Sequence, residues 1–297
     1  MANAAFYFWN WWAYPRGAVS ASSAAPGDQF AVENTLRQTG DLIWRTTGVS
    51  SQWISRDFGT SHKIDSVALV GHNLSPAATW RIRAGDDPAF GTNLLDQSGI
   101  VAWEPVFGLE EILEGQNSEY FDLFGYPTLA TRQTLLQKAI AIFDISVPII
   151  ARYLRIDFLD PTNPAGFFQI EELYAGTKYI PERGVSYGAS RYRSDTVRRA
   201  QASSGQYWFG TTILKRIILD LKVELESHQN IMQVWALFLT LLGNRRTFLI
   251  RIFGKEFGFR GSAQFYHTLH CRFLRVPQMK NTSFERYTIP ITIEEML

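Results

Sequence analysis

Three stretches of this chain place apolar side chains at every second position, and each is bounded by turn-forming residues. In 151–158, Leu154, Ile156 and Phe158 alternate with Arg155 and Asp157, and Asp160-Pro161-Thr162-Asn163-Pro164 follows. In 53–58, Ile54, Arg56 and Phe58 alternate with Trp53, Ser55 and Asp57, ahead of Gly59-Thr60-Ser61. In 79–87, Trp80, Ile82 and Ala84 share one face. A period of two with one apolar face describes half-buried strands, and short strands between Gly, Pro, Asn and Asp turns describe an antiparallel sandwich. Ile64, Val67, Leu69 and Val70 add a further strand that ends at Gly71-His72-Asn73.

The order changes after Gly176. Residues 177–210 are polar and rich in Arg, Ser, Tyr and Gly, which predicts a linker or extended arm. From Thr211 a long strand is expected, with Ile213, Ile217, Leu219, Leu221 and Val223 on one face. Ser227 is placed to cap a helix in which Ile231, Val234, Trp235, Phe238 and Leu242 follow helical spacing, and Gly243-Asn244 stops it. Further strands are expected over 247–254, 267–276 and 285–296. Pro290 lacks an amide hydrogen, so the last of these lies at an edge or turns that nitrogen outward. The fold class expected is therefore mainly β with an α+β second domain. The boundaries are 1–176 for the sandwich, with 96–146 as an insertion, then 177–210, then 211–297. Within the insertion, "GLEEILEG" and "TRQTLLQKAIAIF" read as short helices or a long excursion.

At 297 residues with 46% hydrophobic and 14% aromatic residues, two cored domains are the natural division. A formal charge of +1 gives no electrostatic case for nucleic acid or an anionic membrane. Cys271 is the single cysteine, which excludes an internal disulfide or a Cys-rich metal centre. The start, MANAAFYFWNWWAYPRG, lacks the basic and aliphatic regions of a signal peptide, and Ile231–Leu242 is shorter than the roughly 20 residues of a membrane span. A soluble chain with no membrane span and no nucleic-acid partner is expected.

In order, Val19-Ser-Ala-Ser22, Asn34/Leu36, Trp53-Ile-Ser-Arg-Asp-Phe-Gly59, Ile64–Leu74, Ala151–Phe158 and Phe168–Gly176 resemble a discoidin-like (galactose-binding-like) jelly roll. Phe58 stands where that family has leucine. "ALVGHNL" is similar to phrasing in bacteriophage virion proteins that carry this domain. The strand, capped helix, Gly-Asn stop and terminal "IEE" strand of 185–297 look like the hub or tube-type domain of phage distal-tail proteins. These resemblances imply a non-enzymatic structural protein of a phage tail tip, made in the host cytoplasm and residing in the virion tail. It would form a ring or adaptor between tail tube and tip or baseplate components. Its partners would be copies of itself and other phage tail proteins, with no cofactor. The alternative is a carbohydrate-binding module that recognises a host cell-surface glycan through Trp44, Trp53, Trp80, Trp103 and the terminal aromatics. A glycoside-active enzyme whose carboxylates meet only in three dimensions is a third reading.

The candidate contact residues are Phe8, Trp9, Trp11 and Trp12 of the aromatic start and Arg191, Arg193, Arg198 and Arg199 of the arm, at an interface or on a glycan. Such rings each bury about 150–250 Å², so the aromatic row reads first as packing. His267 and His270 lie three apart on a strand and so face opposite sides, and no metal site is expected there. Asp86-Asp87-Pro88 is the one stretch considered for calcium, and His72 beside Asn73 reads as a turn residue. Catalytic, cofactor and metal residues are all expected to be absent: no Gly-x-Ser-x-Gly elbow occurs, and the adjacent pairs Asp86/Asp87, Glu110/Glu111, Glu171/Glu172 and Glu294/Glu295 diverge along extended chain.

Overall fold

In the computed structural model, residues 4–38, 42–103, 138–182, 185, 190–201, 207–243, 245–252, 268–283 and 286–296 are described. The chain forms two compact units. One comprises Ala4–Ile180 with Phe248–His270, and the other comprises Met1–Asn3, Pro181–Thr247 and Cys271–Leu297.

The first unit is a β-sandwich of jelly-roll type. Its strands are β1 (Ala5–Asn10), β2 (Ala18–Ala21), β3 (Trp44–Arg45), β4 (Gln52–Val70), β5 (Thr79–Gly85), β6 (Leu95–Val101), β7 (Ile140–Leu159), β8 (Gln169–Ile170) and β9 (Glu172–Tyr179), with β12 (Phe248–Arg251) joining from far along the chain. The order β12-β1-β9-β4-β7-β5-β6 is antiparallel throughout, β2 flanks β4, and β3 pairs β8 apart from the rest.

The sandwich arises because β4 and β7 each serve both layers. Gln52–Asp57 pairs with Tyr153–Phe158, and His62–Val70 pairs with Ile140–Ala151, with register shifts between the two halves. Residues 53–58 and 64–70, expected as two strands around a turn at Gly59, are therefore one bent strand. Gly59 sits at φ 79°, a backbone conformation that costs glycine nothing, and the Gly59 amide donates to Asp57 Oδ1 at 2.7 Å. Opposite it, Gly17 at φ 82° lets the loop lie against β4: a Cβ there would fall 2.0 Å from the Asp57 carbonyl oxygen.

Ile54, Phe58, Ile82, Leu154 and Ile156 of one layer and Ile64, Val67, Leu69, Leu173 and Ala175 of the other meet in a single core. Ile64 and Val67 both reach it, although three apart, because the register slips between Ile64 and Ser66. Burying one such side chain is worth about 1.5–3 kcal/mol, so this shared core dominates the unit's stability. The outward face of the second layer is also buried, around Tyr7, Ala68, Val70, Tyr174 and Leu249.

Of the expected insertion, the described ends are strand: 96–101 lie in β6 and 140–146 in β7. Ile140–Phe143, read as the close of a helix, instead pairs with β4. "GLEEILEG" and the rest of the second helix candidate up to Gln137 lie outside the described residues.

The second unit contains β10 (Ser190–Gln201), β11 (Tyr207–Ser227), β14 (Lys280–Ser283), β15 (Arg286–Glu295) and the end of β13 (Thr268–Phe273). The stretch expected as a linker or arm thus includes a strand that pairs along β11 from Ser190↔Asp220 to Gln201↔Tyr207. Helix α1 consists of three contiguous segments, His228–Asn230, Ile231–Trp235 (a π-helical turn) and Ala236–Leu242. Ser227 Oγ accepts the Asn230 amide at 3.3 Å, and Gly243 at φ 54° ends the helix. Ile231, Trp235, Phe238 and Leu242 are its buried face, with Phe238 against Phe273 at 5.3 Å between ring centroids. On the flank of β15 away from β11, pairing with β14 stops at Thr288 and pairing with β13 starts at Ile293, so Pro290 falls in the gap between them. One strand changes unit: 248–251, expected in the second domain, pairs with β1 of the sandwich.

Candidate functional site

The sandwich offers two clusters of partly exposed rings and polar groups. They differ in whether their interactions are already met.

The first lies at the bend of β4 and gathers the aromatic start. Phe8 and Trp12 are core, and the Trp12 indole donates to Thr35 Oγ1 at 3.1 Å. Trp9 and Trp11 are half-buried. Trp11 is stacked between Trp9 (centroids 6.0 Å apart) and His62 (4.2 Å), and its indole donates to the Lys63 carbonyl at 3.0 Å. Tyr14 meets both Trp11 and His62 edge-on. Buried Arg56, at an inward position of β4, holds the loop by donating to the carbonyls of Tyr14 and Arg16. The polar groups beside it are matched as well. Asp57 is bridged by Arg152 at 2.9 and 3.0 Å, and that hydrogen-bonded guanidinium holds its carboxyl below the usual range. Asp86 Oδ1 accepts from Ser61 and from the Arg152 amide. Asp87, considered above for calcium, closes its own turn by accepting the amides of Ala89, Gly91 and Thr92. Both faces of Trp11 are covered, so this row packs on itself.

The second cluster lies where β3, β8 and the loops around 28–30, 71–75 and 160–168 converge. Arg45 is half-buried, with its guanidinium carbon 4.2 Å from the centre of the Phe30 ring and 4.3 Å from that of Phe167. Its Nη2 donates to Gln169 Oε1 at 3.1 Å, and Arg45 and Gln169 are register partners across β3 and β8. Each neighbour is fixed in turn. Phe30 ends a 3₁₀ turn (Asp28–Phe30), and buried Asn34 ties that turn to β3 by donating to the carbonyls of Asp28 and Ile43 at 2.9 and 3.0 Å. Asn73 donates to the Phe167 carbonyl at 2.9 Å and accepts the Gln169 amide at 2.8 Å. Asn163 reaches back to the Asn73 carbonyl at 3.0 Å and to Asp160, which also holds Ser75. Thr46 exchanges hydrogen bonds with the Phe168 backbone, and Gly166 at φ 72° turns the chain into Phe167. An arginine is thus held flat between two rings by a frame of side-chain amides, with apolar surface on both sides of a planar donor group.

The remaining candidates fall elsewhere. Trp44, Trp80 and Trp103 are buried, their indoles donating to the carbonyls of Ser23, Val101 and Leu74, so only Trp53 of that set is partly exposed, beneath the Arg155 guanidinium at 4.3 Å. His72 is buried with its ring against Trp103. Arg191, Arg193, Arg198 and Arg199 lie on β10 in the second unit. His270 and Glu172 form a buried pair at 2.9 Å, while His267 lies outside the described residues. Cys271 is buried, which pushes its thiol well above the ordinary range. Among the described residues no three His, Cys, Asp or Glu side chains gather as a metal site would require, and no helix is long and apolar enough to cross a membrane.

Solved structures similar to part of the chain are carbohydrate-binding modules. They include chitosan-binding module 1 from the chitosanase/glucanase of Paenibacillus sp. IK-5 (16% identity, 54% of this chain and 95% of that one, TM-score 0.34). The lectin domain of lectinolysin complexed with Lewis B antigen is another (15%, 55% and 94%, 0.34). A third is the family 32 module from C. perfringens NanJ in complex with galactose (15%, 59% and 99%, 0.35). No family model matches the chain, and neither does any curated protein.

Proposed function

We propose that the protein is a non-catalytic carbohydrate-binding protein whose sandwich recognises a cell-surface glycan at the Arg45 site. A single observation carries this reading: Arg45 is clamped between Phe30 and Phe167, and among the described residues its side chain hydrogen-bonds only to Gln169. A pyranose presents C–H faces and hydroxyl edges together, and a recognition site for it needs aromatic surface beside a few fixed polar groups. Phe30 and Phe167 supply the first, and the guanidinium and Gln169 amide supply the second. The frame around Asn34, Asn73 and Asn163 keeps these groups in place before a ligand arrives, which lowers the entropy lost on binding. The test is a glycan array probed with the full chain and with Phe167→Ala. Binding that falls at least tenfold in the variant, with its melting midpoint within a few degrees of the parent, is the expected result. Unchanged binding by the variant, or no glycan bound by the parent, overturns the reading.

A second reading, a structural subunit of a phage tail tip residing in the virion, is supported by the sequence resemblance over 185–297 and by one feature of the second unit. β10 is twelve residues long and, among the described residues, pairs on one flank only. A strand margin of that length is a template for another chain, so copies of this protein or other tail proteins would meet it there. Electron microscopy of the purified chain showing closed rings supports this reading, and a monomer at all accessible concentrations counts against it.

A further inference from the structure

We infer that the saccharide received at Arg45 is acidic, its carboxylate seated on the guanidinium. This rests on the carbohydrate reading above and narrows it to a ligand class. The observation behind it is a missing counter-ion. Five other arginines of the sandwich meet an aspartate: Arg81–Asp96 at 2.6 Å, Arg83–Asp157 and Arg155–Asp157 at 2.8 Å, Arg152–Asp57 at 2.9 Å and Arg251–Asp144 at 2.5 Å. Among the described residues Arg45 meets none; Arg56 meets none either, but two loop carbonyls accept from its guanidinium. The side-chain contacts of Arg45 are the two ring faces and the neutral Gln169 oxygen, and with its Nε sealed from solvent the Nη edge is the part a ligand can reach.

An unpaired arginine is unremarkable when it waves in solvent, where water solvates every N–H. Arg45 is not in that position. It is half-buried between rings that displace water from both faces of the guanidinium plane, and a buried donor without an acceptor is destabilising. The rings attract the charge and offer no hydrogen-bond acceptor atoms. What this arrangement lacks is a planar anion in the plane of the fork. A carboxylate fits that geometry with two parallel N–H···O bonds, and charge-assisted bonds are about twice as strong as neutral ones. A neutral sugar can accept a bond from Arg45, but it leaves the charge uncompensated. The rings on either side suit the C–H faces of the sugar that carries the acid, and the site has one cation rather than the several that track a nucleic-acid backbone.

The experiment compares matched ligands on the full chain. Oligomers of galacturonate, glucuronate and sialyllactose are titrated calorimetrically beside their methyl esters, which keep the sugar and remove the charge, and beside inorganic phosphate and a phosphopeptide. At least one acid should bind tenfold or more tighter than its ester, with affinity falling as salt rises. Arg45→Gln and Arg45→Lys should both lose that preference, the second because an ammonium keeps the charge without the fork. Near-ultraviolet circular dichroism confirms that each variant is folded, and Gln169→Ala serves as a milder substitute if either is not. Equal binding of acid and ester, abolished in Arg45→Gln, overturns the acidic-ligand inference and leaves carbohydrate binding intact. Tighter binding of phosphate or phosphopeptide than of any sugar overturns both, as does binding to none of the probes.

Discussion

The two ring clusters of the sandwich differ in a way composition hides. The aromatic start is the densest run of rings in the chain, and in the fold it is nearly complete: Trp12 is core, Trp11 is covered on both faces, and its indole has an acceptor. The Arg45 cluster uses two phenylalanines far apart in sequence and, among the described residues, leaves a cation without an anion. Rings in number make core; a site is marked by an interaction prepared and not yet made.

Three changes test this contrast. Trp12→Ala has the largest expected effect. Removing a fully buried indole from the core should cost about 3–5 kcal/mol, read as a lower urea midpoint, while affinity at Arg45 in the surviving folded fraction stays the same. A small stability loss there would mean the aromatic row is not core after all. Asn73→Ala should cost less, about 1–3 kcal/mol for the Phe167 carbonyl and Gln169 amide left without partners, but should also weaken glycan binding because both groups frame Arg45. Titration and thermal melting on one sample separate the two effects.

The smallest effect is electrostatic. Asp57 is held below the ordinary carboxylate range, chiefly by its hydrogen bond from Arg152. A depressed folded-state value means the unfolded chain binds the proton more tightly, so the stabilisation is present above about pH 4 and is lost as pH falls further. The urea midpoint of Asp57→Asn should therefore lie slightly below the parent's at pH 6, and the gap should narrow as pH is lowered below about 4. A gap that does not change with pH would show that the carboxylate's charge is not what holds the bend.

Much of the sandwich was legible because period two survives locally. Leu154, Ile156 and Phe158 are buried as their spacing requires, and so are Trp80, Ile82 and Ala84. The helix was equally plain, from Ser227 to Gly243. What local pattern could not carry was pairing over distance. Gly59 marks a bend instead of a break because β7 runs alongside both halves of β4, and the strand at 248–251 joins β1 although nothing in "FLIR" names its neighbour. Arg56 reads as a polar insertion on an apolar face until two loop carbonyls are found above it. The Arg45 site left the faintest trace. Phe30, Arg45, Asn73, Phe167 and Gln169 lie on four separate segments, each ordinary alone, and only the fold gathers them.

The pairing of Phe248–Arg251 with β1 has a practical consequence. A plasmid encoding only the stretch up to Ile180 would supply β1–β9 yet omit β12, which covers the outer margin of Ala5–Tyr7. Such a fragment would present an unpaired strand edge to its own copies and precipitate or pair up. Anyone wishing to borrow this sandwich for engineering must splice the later segment back beside the first strand, or carry the whole polypeptide.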